Sequence, residues 1–135
     1  MRTSILVIAT LVVALIALVP KYSSSPKWLQ MYCEDTTPER NHVRIRACRA
    51  ILAYPDIEPW YRGAINTQLC VALDNDERWK EAIDACTKGN NPYPQYANYM
   101  NRALAHSMLG EHDQAEADLI AAAFIKPLDK PPSSQ

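Results

Sequence analysis

The chain has 135 residues, with 14 Lys or Arg against 15 Asp or Glu, a formal net charge of −1 and only 3 Gly. Mixed, nearly balanced charge excludes the basic stripe of a nucleic-acid binder, and no glycine motif that could cradle a phosphate is present. Setting aside a terminal apolar segment leaves roughly 100 residues, one small domain that is marginal without further support.

Met1-Arg2 is followed by an apolar block, Ile5–Val19, with Thr10 its only polar member. A short positive start and an apolar run of this length read as the hydrophobic region of an export signal, so residues 1–20 are expected to direct the chain out of the cytoplasm. The usual small-x-small cleavage site is missing, because Ala17-Leu18-Val19 runs into Pro20. As a helix the block rises only about 22 Å against a hydrocarbon core of about 30 Å. A cleaved signal and a retained membrane anchor both remain open, and in either case the segment enters a membrane at least transiently. Removing Arg2 and Lys21 leaves 12 basic residues against 15 acidic ones, or −3 for the remainder. Residues 21–27, KYSSSPK, form a polar Ser/Pro linker.

The domain is expected over 28–127. A short helix, WLQMYCE, begins at Trp28, and Thr37-Pro38-Glu39 opens a second as N-cap, first-turn Pro and acid at the positive end of the dipole. That helix must stop near Tyr54, since Pro55 disfavours helical geometry in the residue before it. Together these form a partial unit, 28–54. A second unit, 59–89, starts at Pro59; Asn75 or Asp76 is expected to cap its second helix, and Gly89 to take a left-handed C-terminal cap. NNPYP then makes a turn into a third unit, 96–127. Here Tyr99, Ala103 and His106 form one stripe, Gly110 breaks the helix, and Ala115, Leu119 and Ala122 form the facing stripe, with Gln114, Glu116 and Asp118 elsewhere. Residues 128–135 read as a disordered tail.

The order Tyr99, Ala103, His106, Leu109-Gly110, Ala115, Leu119, Ala122, Pro127 resembles the tetratricopeptide repeat, a helix-turn-helix unit of about 34 residues. Two positions depart from that pattern, Arg102 where the family has Leu and His106 where it has Tyr. Within the chain, Ile45-Arg46-Ala47-Cys48 is similar to Ile83-Asp84-Ala85-Cys86, and Ala82 and Ala115 share a repeat position 33 residues apart. The resemblance implies an all-α fold, a short solenoid of about two and a half helical hairpins after an N-terminal hydrophobic helix, in a small exported protein of bacterial type.

Four cysteines allow three pairings, and an exported small domain is where disulfides form and persist. In the repeat register Cys33 and Cys48 lie 15 apart across the first turn, and Cys70 and Cys86 lie 16 apart across the second. Residues equidistant from the bend of an antiparallel hairpin face each other, which favours Cys33–Cys48 and Cys70–Cys86. Each closed loop would contribute on the order of 3 kcal/mol. The alternative is four free cysteines acting as small core residues.

Other chemistry is sparse. His42, His106 and His112 make no metal signature with the cysteines, so no metal, no cofactor and no catalytic residue is expected, and the chain reads as non-enzymatic. In this repeat family the first helix of each pair lines a concave groove. By that register the face carries Ala64, Thr67, Gln68 and Val71, then Ala97, Met100, Asn101, Leu104 and Met108. It is mostly apolar and neutral, suited to an extended or helical apolar segment of a protein partner. Burial of the same residues against a capping helix or a second copy stays open. The expected function is a protein-interaction module of the cell envelope, periplasmic and possible to tether through residues 5–19; the alternative is an exported accessory subunit that self-associates or docks on a larger complex.

Overall fold

The computed structural model of the protein describes residues 25–125, and every regular element among them is helical. Six α-helices follow in order: α1 (Lys27–Glu34), α2 (Asn41–Leu52), α3 (Pro59–Asn75), α4 (Trp79–Gly89), α5 (Tyr96–Met108) and α6 (His112–Ile125). A 3-10 turn, Pro38–Arg40, leads into α2. The segment 1–20 expected to direct export, most of the expected linker and the expected tail at 128–135 lie outside the described residues. Among the described residues no helix is long and apolar enough to cross a membrane.

Each helix packs on the next, and in addition α1 meets α3 and α3 meets α5. The first members of successive hairpins are therefore neighbours. Small side chains make this possible. The core combines Leu29, Ile45, Ile51, Ile65, Leu69 and Leu73 with a larger set of small residues, among them Ala47, Ala72, Ala82, Ala85, Ala105 and the four cysteines. Two glycines mark still closer approaches. A Cβ at Gly63 would stand 2.6 Å from the carbonyl oxygen of Asn91, and one at Gly89 would stand 2.7 Å from Asn98 Nδ2 and 2.9 Å from Thr67 Oγ1. Gly89 thus ends α4 without a left-handed cap; it is small because α3 and α5 crowd it from both sides.

The hairpins α3–α4 and α5–α6 close with the same turn. Arg78 N–H donates to Leu73 O and Glu77 N–H to Asp74 O; Glu111 N–H donates to His106 O and Gly110 N–H to Ser107 O. This six-to-one and five-to-two pairing needs a left-handed residue just past the helix. Gly110 supplies it at φ 76°, and Glu77 supplies it at φ 56°. Asn75 and Asp76 therefore finish α3 rather than start α4, whose N-cap is Arg78 with no side-chain cap bond. Thr37 likewise caps the 3-10 turn without a side-chain bond, and its own N–H goes to Asp35 Oδ1 at 2.9 Å.

In the first two hairpins the helices are joined by sulfur: Cys33 is bonded to Cys48 and Cys70 to Cys86, with Cα atoms 4.8 and 5.0 Å apart, and no cysteine is free. Two disulfides in a domain of this size are typical of extracytoplasmic proteins. Polar side chains tie the hairpins to one another. Buried Arg44 reaches from α2 to Cys33 O at 3.1 Å and to Gln68 Oε1 at 2.6 Å, and Asn41 donates to Ala72 O at 2.7 Å. Arg62 donates to Leu52 O and Tyr54 O, each at 3.0 Å, pinning the α2–α3 connection. Ser25, in the stretch read as linker, is also buried, with its Oγ 3.2 Å from the Tyr61 hydroxyl.

The phase of α6 differs from the sequence expectation. Ala115, Asp118 and Ala122 are its buried residues, whereas Leu119 is 49% exposed. Asp118 turns inward because Arg102 on α5 grips it. Leu119 is left open because, among the described residues, α6 packs only on α5.

Two measurements check this framework. Non-reduced protein should be four hydrogens lighter than reduced protein, and its peptide map should link Cys33 to Cys48 and Cys70 to Cys86; a Cys48–Cys70 peptide would contradict it. In urea melts Glu77→Gly should gain up to about 1 kcal/mol by relieving a left-handed side chain, while Gly110→Ala should lose about 1 kcal/mol.

Candidate partner-binding site

The nine residues assigned to the groove divide by helix. On α3, Ala64, Thr67, Gln68 and Val71 are all half-buried. Their polar atoms are already engaged: the Thr67 hydroxyl donates to Gly63 O at 3.1 Å and accepts from Asn98 Nδ2 at 3.0 Å, and Gln68 accepts from Arg44. On α5, Ala97 is exposed and Asn101 half-buried, while Met100, Leu104 and Met108 are 36%, 49% and 56% exposed. These three recur every fourth residue, so they form one apolar row along α5. The α3 members are drawn into the fold, and the accessible apolar residues among these nine lie on α5.

What holds α5 is a charged knot that the sequence reading did not foresee. Arg102 Nε donates to Asp118 Oδ2 at 2.8 Å, and its Nη2 to Asp118 Oδ1 at 2.5 Å, a two-pronged pair with Asp118 almost fully buried. Arg102 Nη1 also reaches Thr87 Oγ1 on α4 at 2.8 Å, and its guanidinium carbon lies 5.2 Å from the centre of the Tyr99 ring. The hydrogen bonds to Asp118 hold the guanidinium pKa above its ordinary value, against the opposing effect of burial. His106 adds to the knot, with Nδ1 2.6 Å from Glu111 Oε2 and Nε2 3.8 Å from Asp118 Oδ2. One side chain, Arg102, thereby fixes α5 to both α4 and α6.

A second unforeseen feature is Asp74, in the last turn of α3. It is only 7% exposed, and neither carboxylate oxygen has a hydrogen-bond partner among the described residues. It sits one helical turn beyond Cys70, and ligand atoms of Cys70, Asp74 and Cys86 all lie within 4.8 Å of one another. An acid near the negative end of a helix gains nothing from the dipole. Burial pushes its carboxyl from an ordinary 3.8 up to about 7.

This shift fixes a pH dependence. Between about pH 4 and pH 7 the unfolded chain ionises Asp74 while the folded chain keeps it protonated, so stability falls as pH rises through that window. The loss is at most about 4 kcal/mol, complete above about pH 7. Asp35 and Glu81 work in the opposite sense and at lower pH: hydrogen bonds, chiefly from Thr37 and from Arg78, hold their carboxyls below the usual range, so their contribution is lost as pH falls. Urea melts at pH 4.5, 6 and 7.5 should show the decline in the wild type and a flatter profile in Asp74→Asn, the difference cancelling the histidines common to both. Compared with models of known protein families, with curated proteins and with solved structures, the chain returns no match.

Proposed function

We propose that the protein is a non-enzymatic interaction module of the cell envelope, a short solenoid similar to tetratricopeptide repeats that holds an apolar segment of a partner protein. The observation that carries this reading is the row Met100, Leu104 and Met108, left exposed on a helix that Arg102 locks at both sides. Single exposed apolar residues are ordinary, but three in register make a continuous stripe, and the methionines can adapt to the contour of a bound chain. An amphipathic partner helix laid along α5 would cover that stripe.

The repeat reading draws support from inside the chain. The left-handed turn residues Glu77 and Gly110 are 33 residues apart, as are the buried Ala82 and Ala115. The side-by-side contacts of α1, α3 and α5 are those expected of stacked hairpins. The apolar run 5–19 and the two disulfides support reading the protein as exported to the periplasm, with residues 5–19 as signal or tether.

A second reading has its own observation. The outer side of α6 shows Leu119, Ile120 and Phe124, the last 86% exposed, and no other described helix covers them. Open ends of helical repeats tend to associate, so an accessory subunit that pairs through α6 is the alternative.

Capture from a solubilised envelope fraction, using the chain from Ser25 onward as bait, tests the first reading. Met100→Glu and Leu104→Glu should each reduce recovery of the specific partner at least tenfold, about 1.4 kcal/mol, with unchanged helical circular dichroism. Equal recovery by wild type and both variants would exclude α5 as the binding face. Light scattering on the same bait separates the second reading: an obligate dimer dispersed by Phe124→Glu favours it, and a monomer excludes it.

A further inference from the structure

We propose that Cys70, Cys86 and Asp74 form a site for one zinc ion when the Cys70–Cys86 bond is reduced. The three donor atoms already converge, all within 4.8 Å of one another. Two come from α3, one turn apart, and the third from α4 across the hairpin. All three residues are buried, Cys70 and Cys86 completely.

Asp74 is the independent pointer to a ligand. Its carboxylate is enclosed without a hydrogen bond among the described residues, on the sulfur side of the hairpin. A buried anion is costly unless it is paired or coordinates a metal. In the oxidised chain the neighbouring sulfurs offer it nothing, because a disulfide has no proton to donate. In the reduced chain, two thiolates and this carboxylate would give a cation three anionic donors, with water completing the fourth position.

The donor set selects the metal. Two sulfurs and one oxygen suit zinc, which is borderline soft, has no redox chemistry of its own and takes mixed tetrahedral sets. Magnesium and calcium favour oxygen throughout. Zinc–sulfur bonds of about 2.3 Å at the tetrahedral angle put the sulfurs about 3.8 Å apart, under 2 Å more than in a bonded pair. That adjustment is small for two side chains on a hairpin whose turn is closed by backbone hydrogen bonds.

The chemistry balances simply. A dithiol supplies two electrons and two protons, leaves as its own disulfide, and converts the Cys70–Cys86 bond to two thiols. Zinc then displaces both thiol protons, and the proton of the Asp74 carboxyl where it is held, to solvent. The reverse step balances too: a disulfide of the reductant's class takes two electrons from the thiolates and two protons from solvent, the Cys70–Cys86 bond re-forms, and the ion is released. The first hairpin has no such option: four residues beyond Cys33 stands Thr37, and four beyond Cys48 stands Leu52. Among the described residues no acid completes a metal-binding group there.

The test uses the full chain, reduced with a water-soluble phosphine, desalted under argon and titrated with zinc sulfate against a chromogenic chelator. One zinc per chain should bind with a Kd below about 1 µM. Asp74→Asn should weaken it at least about tenfold, Cys70→Ser with Cys86→Ser should abolish it, and Cys33→Ser with Cys48→Ser should leave it unchanged. Cobalt in place of zinc should give thiolate charge-transfer absorption in the wild type. The proposal is overturned if reduced wild type retains no zinc, if Asp74→Asn binds as tightly as wild type, if retention follows Cys33 and Cys48, or if the unreduced chain binds equally well. It is also overturned if reduction abolishes the helical circular dichroism and zinc does not restore it.

Discussion

Two sulfur bridges set how closely the helices of this domain can lie. A chain with about 100 residues outside its apolar start can bury only a limited apolar area, and much of its core is Ala and Cys rather than bulky residues. Small side chains let backbones approach, so the α-carbons of each bonded pair are about 5 Å apart. They also supply less burial per residue. Covalent closure of the hairpins compensates by restricting the unfolded chain. Gly63 and Gly89 belong to the same regime, since each sits where a methyl group would collide with the next segment.

The third hairpin solves the same problem differently. Arg102 and Asp118 are 16 residues apart and centred on Gly110, the spacing that Cys70 and Cys86 have about Arg78. Where the second hairpin has a sulfur bridge, the third has a guanidinium gripping a buried carboxylate. The two links answer to different chemistry. Thiols act on one; the other depends on charge and on how completely its partners are desolvated. Arg102 gains reach from the exchange, because its remaining nitrogen holds Thr87 on the previous helix.

Helix order, the bend at Gly110 and both cysteine pairs could be read from the sequence, because all three follow from periodicity and from symmetry about a turn; the second bend lies at Glu77, past the Asn75-Asp76 expected to open α4. Carried on by the 33-residue repeat, the register that pairs Cys70 with Cys86 points to Ala103 and Leu119, one residue away from the Arg102–Asp118 pair that joins the third hairpin. That pair was obscured because an acid on a helix is ordinarily solvated, and Asp118 was placed off the buried stripe with Leu119 on it. Asp74 was hidden for the same reason, as a charged residue beside a turn signal that reads Asp-Asn-Asp. Glu77 gave no sign of its left-handed backbone, which the closing hydrogen bonds impose and side-chain type does not announce. The engagement of Thr67 and Gln68 depends on Asn98 and Arg44, partners from other helices that repeat register alone does not bring forward.

The mechanical character of the chain follows from where its covalent links stop. Tension applied at the C-terminal side would peel α6 and α5 away against non-covalent resistance alone, and would then arrive at Cys86. From there the segment back to Cys70 is a loop that force cannot lengthen while its bond is intact. The molecule therefore has one end with no covalent restraint and, beyond it, two segments closed by sulfur, and a load borne by α5 falls on the unrestrained end.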